Sequence, residues 1–349
     1  MQINCKAYFR STSALLVLLA LQVLTSCTPT ATSEADIKKT DSLELALNDL
    51  ELKSVNVQLR QDPENAPLYN KRALVYRRLK LFEEAENDAK RAIRIDSTNA
   101  DYRITLVDIY FSENKTRLAK DELEYTTKKY PESINAHLKL AELYFIVKQY
   151  QKAIDAVNTA LKLDEHNAMA YYIKGSVYRE SEDTNRAITS LQTAVEQDSR
   201  FADAYYDLGL LHAARKNPLA FDYYRSVLEI LPGDQRTLYA RAHLLQQIGK
   251  IDEATKEYLQ IVAKDNSCAE CFFNLGAIAM DVKQDYKTAI EQFTKAISSD
   301  GAYGDAYYWR GQSYLKTGNK ESARADFKMC LQLNPQDESA AVALNQLGK

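Results

Sequence analysis

Glycine and proline are scarce in this sequence, 10 and 7 residues in 349. So few breakers exclude a fold of many tight turns and favour long helices. Histidine is rarer still, with four residues scattered along the chain. His137 and His212 fall at helical packing positions, His166 in a turn, and only His243 on an inward-facing site. No Gly-rich phosphate loop, Gly-x-Ser-x-Gly or His-Glu-x-x-His occurs, so the chain offers no familiar catalytic, cofactor or metal-binding pattern. Positive charge is not in excess, since 45 Lys and Arg stand against 48 Asp and Glu, a poor balance for binding nucleic acid. The 27% charged residues and mean hydropathy of −0.42 are those of a soluble protein. What is abundant is tyrosine, with 23 residues.

Long apolar runs are also missing, with one exception near the start. Lys6 and Arg10 precede "ALLVLLALQVL" at 14–24, followed by Thr25-Ser26-Cys27. Eleven helical residues reach only ~16 Å, about half of a ~30 Å hydrocarbon core, so this reads as a targeting segment. Its ending, Leu24-Thr25-Ser26-Cys27, resembles the bacterial lipobox. That resemblance implies cleavage after residue 26, diacylation of Cys27 and stable anchoring by two chains. Thr28 follows where enteric lipoproteins retained at the inner membrane carry Asp, so the implied address is the outer membrane, on its periplasmic face. Residues 27–41 are then the lipidated cysteine and a polar tether. Residues 42–65 read as one amphipathic helix, a partial repeat or cap stopped near Pro63.

From residue 66 the chain repeats. Ala85, Ala119, Ala153, Ala187, Ala220, Ala254, Ala289 and Ala323 follow one another at 34, 34, 34, 33, 34, 35 and 34 residues. Around each lies an aromatic-containing helix, a short turn and a second helix. A small-residue site holds Ala73, Val107, Ala141, Gly175, Gly209, Ala242, Gly276 and Gly311; Val107 is its largest member. The frame resembles the tetratricopeptide repeat, with Arg72 departing from a usual Leu site. The resemblance implies an all-α superhelical solenoid of eight repeats over 66–337 with a capping helix at 338–349. No hairpin of this kind buries its apolar face alone, so stacking supplies the core.

Two features are candidates for function. Cys268-Ala-Glu-Cys271 has the spacing of thiol oxidoreductases and many zinc sites. It aligns, however, with ordinary repeat segments, lacks a βαβ setting and has no nearby second pair of ligands. Beyond a membrane a structural disulfide is one reading, and two idle thiols the other. Cys330 reads as a buried small-site thiol. The second feature is a stripe about 115° from the packing face, which in the tetratricopeptide family lines the concave surface. Its fifth repeat position, counted from Ala66, reads Asn70, Ile104, Leu138, Tyr172, Tyr206, Tyr239, Phe273 and Tyr308. Asp203, Glu270 and Asp305 flank the aromatic part at the second position and predict a partner carrying Lys or Arg between apolar anchors. The family's Lys/Asn clamp for terminal carboxylates is not evident at Asn70, Leu74, Ile104 or Leu138. The basic run "NKRALVYRRLK" at 70–80 is either a solvated face or a contact for anionic headgroups or an acidic partner.

These observations predict a non-catalytic scaffold, anchored by lipid at the cell envelope, that binds other envelope proteins or peptides. It resembles envelope lipoproteins acting as adaptors in outer-membrane protein assembly, pilus secretin assembly or cell-wall hydrolysis. The rival expectations are a glycan- or peptidoglycan-binding protein and a thiol redox protein using Cys268 and Cys271.

Overall fold

The turn between one hairpin and the next is specified by short side chains. Asp96, Asp164, Asp198, Asp265 and Asp300 each end a helix and accept, through Oδ1, the backbone N–H two residues on. Such Asx turns compete with helix continuation. The following helix opens on its own cap, since Asn65, Ser133, Asn167 and Asp234 each accept the N–H three residues along.

The computed structural model describes residues 49–348, and these form eighteen helices and no strand. Helix α1 (Leu50–Gln61) precedes eight hairpins. They pair α2 (Ala66–Arg78) with α3 (Phe82–Ile95), α4 (Asp101–Ser112) with α5 (Thr116–Lys129), and α6 (Ile134–Ile146) with α7 (Tyr150–Leu163). Next come α8 (Ala168–Glu180) with α9 (Thr184–Gln197), α10 (Ala202–Ala214) with α11 (Leu219–Ile230), and α12 (Gln235–Gln247) with α13 (Ile251–Lys264). The last two are α14 (Ala269–Asp281) with α15 (Tyr286–Ser299) and α16 (Gly304–Lys316) with α17 (Lys320–Leu333), closed by α18 (Glu338–Leu347).

Within each hairpin the first helix ends on a left-handed residue. Lys80, Asn114, Lys148, Glu182, Lys216 and Gln284 hold positive φ there, and Gly249 and Gly318 do so in the other two hairpins. In seven of the eight the next N–H bonds back five residues, as from Gln149 to the Tyr144 carbonyl at 2.8 Å, the closing bond of a Schellman turn. In the seventh hairpin Asp285 reaches back six, to Ala279. A side chain in this conformation costs about 1 kcal/mol that glycine avoids. Lys148→Gly should therefore raise the denaturant midpoint by an amount worth about 1 kcal/mol at most, its side chain being exposed. A lowered midpoint would contradict the strain argument.

Each hairpin packs on the next, and first helices also meet one another: α2 with α4, α4 with α6, α6 with α8, α10 with α12 and α14 with α16. Second helices do not pack together to a comparable extent among the described residues. The first helices are therefore the inner layer of a curved array, and the second helices splay along the outside.

The core is built by volume exchange across each hairpin. Gly209, Gly276 and Gly311 face the fully buried rings of Tyr224, Phe293 and Phe327 on the paired second helix. Toward the N-terminus the partners are smaller: Ala89, Leu123 and Val157 are buried on the second helices beside Ala73, Val107 and Ala141. Arg72 proves to be a compensated departure. Its guanidinium donates to both Asp88 oxygens, at 2.6 and 2.8 Å, and to Asn56 of α1 at 2.7 Å. Arg310 and Asp326 repeat the pairing in the eighth hairpin, at 2.9 and 2.7 Å.

Within the described part of 42–65 the helix runs from Leu50 to Gln61, with Asp49 as its cap, and residues 42–48 lie outside the described residues. The helix stops at Gln61 because Asp62, ahead of Pro63, leaves the helical region, at φ −133° and ψ 84°. Leu52, Val55 and Leu59 are buried beneath it. The basic run is largely neutralised here: Lys71 and Arg78 pair with Glu51, Arg78 also with Asp49, and Arg77 with Asp108. At the far end α18 buries Ala340 and Ala343 against α17.

Candidate functional site

The fifth repeat position divides the inner layer into two kinds of surface. Ile104 and Leu138 are buried, so the N-terminal part of the stripe is filled by aliphatic packing. Tyr172, Tyr206, Tyr239, Phe273 and Tyr308 are only half-buried. Four of them rest on a deeper ring: Tyr206 on Tyr224 at 6.4 Å, Tyr239 on Tyr258 at 5.9 Å, Phe273 on Phe293 at 5.5 Å and Tyr308 on Phe327 at 5.8 Å. The inner column is thus the upper tier of a double aromatic layer, and the tilted contacts hold each ring in place.

The structure adds residues that the repeat pattern did not single out. Phe201 lies 4.9 Å from Tyr172, and Tyr303 lies 5.1 Å from Phe273. Both occupy the N-cap position of the next first helix, a shared register that could have marked them. Trp309 stands edge-on to Tyr308 at 5.2 Å. Leu210, one turn beyond Tyr206, is exposed. His243 stacks on Tyr239 at 6.0 Å, and burial holds its imidazole below the usual histidine range, so it is neutral at neutral pH.

Charge on this face differs from the expectation. Asp203 does not stand as a bare acid: it pairs with Arg236 at 3.3 Å, and the Arg236 guanidinium also lies over the Tyr206 ring at 5.1 Å. These two residues are 33 positions apart at the same register of successive repeats, so their pairing arises only once the repeats stack. Asp207 is buried and bonds Arg179 at 2.5 Å. Burial raises its carboxyl above the usual range while Arg179 opposes the shift. Further along, Asp108 joins Arg77 and Lys139, and Lys139 reaches Glu142. Glu270 and Asp305 are exposed, leaving the seventh and eighth repeats as the acidic stretch.

Cys268 caps α14, its sulfur accepting the Cys271 N–H at 3.2 Å, in the role that Asn65 and Asn167 play elsewhere. The two cysteines are joined in a disulfide, with Cys271 buried. Cys330 is buried, and burial pushes its thiol up to about 12. No group of three or more His, Cys, Asp and Glu with metal-holding geometry occurs among the described residues. Cys27 lies outside those residues. The assembled site can therefore hold apolar and aromatic side chains against fixed rings, with ion pairs at its margins.

Family models of the tetratricopeptide repeat match residues 66–99, 104–168, 239–302 and 304–337, and a model described as TPR repeat matches 175–215. Among solved structures, the chain is similar to a tetratricopeptide repeat protein from Parabacteroides merdae at 18% identity and TM-score 0.53, covering 72% of this chain and 99% of that one. The C-terminal part of a TPR repeat-containing protein from Cytophaga hutchinsonii gives 18% identity and TM-score 0.57 over 70% and 99%. PilW, a type IV pilus biogenesis factor, gives 20% and 0.52 over 60% and 98%. At these identities the structural likeness carries the fold alone. Repeat models along the length and a matching array of hairpins make the chain a tetratricopeptide-repeat protein, an all-α superhelical solenoid.

Proposed function

We propose that this protein is a non-catalytic adaptor, anchored by lipid at Cys27 to the cell envelope, that binds an extended segment of a partner protein along the inner face of repeats four to eight. The observation that carries the reading is the column Tyr172, Tyr206, Tyr239, Phe273 and Tyr308, half-open on one face and, from Tyr206 onward, braced from behind. Pre-fixed aromatics give large contact area at low entropic cost. The lipobox-like Leu24-Thr25-Ser26-Cys27 supports the anchor, and the Cys268–Cys271 disulfide suits an oxidising compartment. Stacking on sugars is less well served, because neighbouring rings tilt against the column and occupy ring faces.

Because Arg236 and Arg179 neutralise Asp203 and Asp207, the partner is held mainly by apolar contact, with any basic group placed toward Glu270 and Asp305. Tyr206→Ala with Tyr239→Ala should weaken partner capture from detergent-solubilised envelope by roughly a hundredfold or more, as hot-spot aromatics contribute about 2 kcal/mol or more each. Both rings pack on buried tyrosines, so the double variant also loses some stability, and its melting must be followed alongside. Leu210→Asp, at an exposed site, disturbs the face without that cost. Wild-type capture by both variants would remove the inner face from consideration.

A further inference from the structure

The outer side of the array carries its own concavity. Between α13 and α15, second helices that do not pack together, lies a groove of about 780 Å³. That volume is within the range of ligand pockets. One wall is apolar, formed by Leu259, half-exposed at 50%, with Val262 and Ala263. Phe272 of α14 forms the floor, with Lys295 over its ring at 5.8 Å.

The opposite wall looks polar but offers little. The Ser298 hydroxyl already donates to the Thr294 carbonyl, and Ser299 donates to the Asn266 and Lys295 carbonyls. Lys295 is the one ionised side chain in the lining, and it has no carboxylate partner among the described residues. Other outer grooves are ionic by comparison: the one between α5 and α7 is lined by Lys128, Lys152 and Asp155. The combination here is an apolar wall and floor with a single uncompensated cation.

We propose that this groove is a second docking site, taking an amphipathic helix of a partner protein, with its apolar face on Leu259, Val262 and Phe272 and an acidic side chain on Lys295. Two helices that do not pack together form the walls, and the partner helix would lie along them in the manner of helix-in-groove recognition, anchored at i, i+3 or i+4, and i+7. The turn at 266–271 closes one end, stapled by the Cys268–Cys271 disulfide and tied to α15 through Ser299. The site is independent of the inner face, so one chain can hold two partners at once, as an adaptor must.

The test uses the full chain and a fluorescein-labelled helical peptide of about 15 residues, bearing Leu at i, i+4 and i+7 and one Glu on the flank. A counterpart carries Lys in place of the Glu. Anisotropy should show saturable binding of the Glu peptide, weakened about thirtyfold by Leu259→Asp and about tenfold by Lys295→Glu. Lys295→Glu should in turn bind the Lys peptide better than the unmodified chain does. Leu210→Asp, at an exposed site of the inner face, should leave these values unchanged. Absence of saturable binding, equal binding of the two peptides, or loss only in the inner-face variant overturns the proposal. Self-association that Leu259→Asp abolishes would assign the groove to a second copy and overturn it equally.

Discussion

Gly209→Leu should unfold the fifth hairpin while leaving the ends of the array folded. A Cβ at residue 209 would lie 2.4 Å from Tyr224 Cε1, so even a methyl group does not fit and a leucine requires the two helices to part. Tyr224 is fully buried and braced by Tyr206, which leaves the ring little room to retreat. Overpacking of this kind costs about 3 kcal/mol. In a linear array the loss falls on the hairpin and its neighbours. Hydrogen exchange should show amides of α10 and α11 losing protection first, with α2, α3, α16 and α17 retaining theirs. Adding Tyr224→Ala should return part of the stability, since it vacates the space the leucine needs. Uniform loss of protection along the chain, or no rescue, would contradict the volume-exchange account.

The second large effect is expected at Arg72. Arg72→Leu restores the residue usual for the repeat, yet it should destabilise the first hairpin by about 3 kcal/mol, because breaking a buried pair strands its partner. Asp88 is only 7% exposed and both of its oxygens are held by Arg72. Replacing both members by apolar residues is often neutral, so Arg72→Leu with Asp88→Ala should recover most of the loss in chemical denaturation. Arg310→Leu, alone and with Asp326→Ala, should behave the same way. If each double variant is as unstable as its single variant, packing of the arginine stem rather than charge explains the effect.

The fold was legible because its rules are local and periodic. Small residues recur every 34 positions, while Asp at the ends of second helices and Asn or Ser before first helices act within a few residues of themselves. The register of the inner column was legible for the same reason. What escaped were relations across the stack. Arg72 looked like a flaw because Asp88 sits 16 residues away on the paired helix. Asp203 looked like a free acid because Arg236 approaches only when repeats five and six are in contact. The column looked detached from the packing stripe, yet its rings rest on core tyrosines and phenylalanines, a contact that one helix's periodicity cannot show. The outer groove was invisible for a related reason, being a gap between helices that do not touch.

The lone tryptophan gives the array an optical address. Trp309 is the only indole in the chain, and it packs against the Met280 and Phe293 cluster of the preceding repeat while standing edge-on to Tyr308. Its emission therefore reports the junction of the seventh and eighth repeats and nothing nearer the N-terminus. Circular dichroism averages over every helix, so the two signals need not change together as denaturant is raised. A separation between them would read out, without any label, the order in which the two ends of the superhelix come apart.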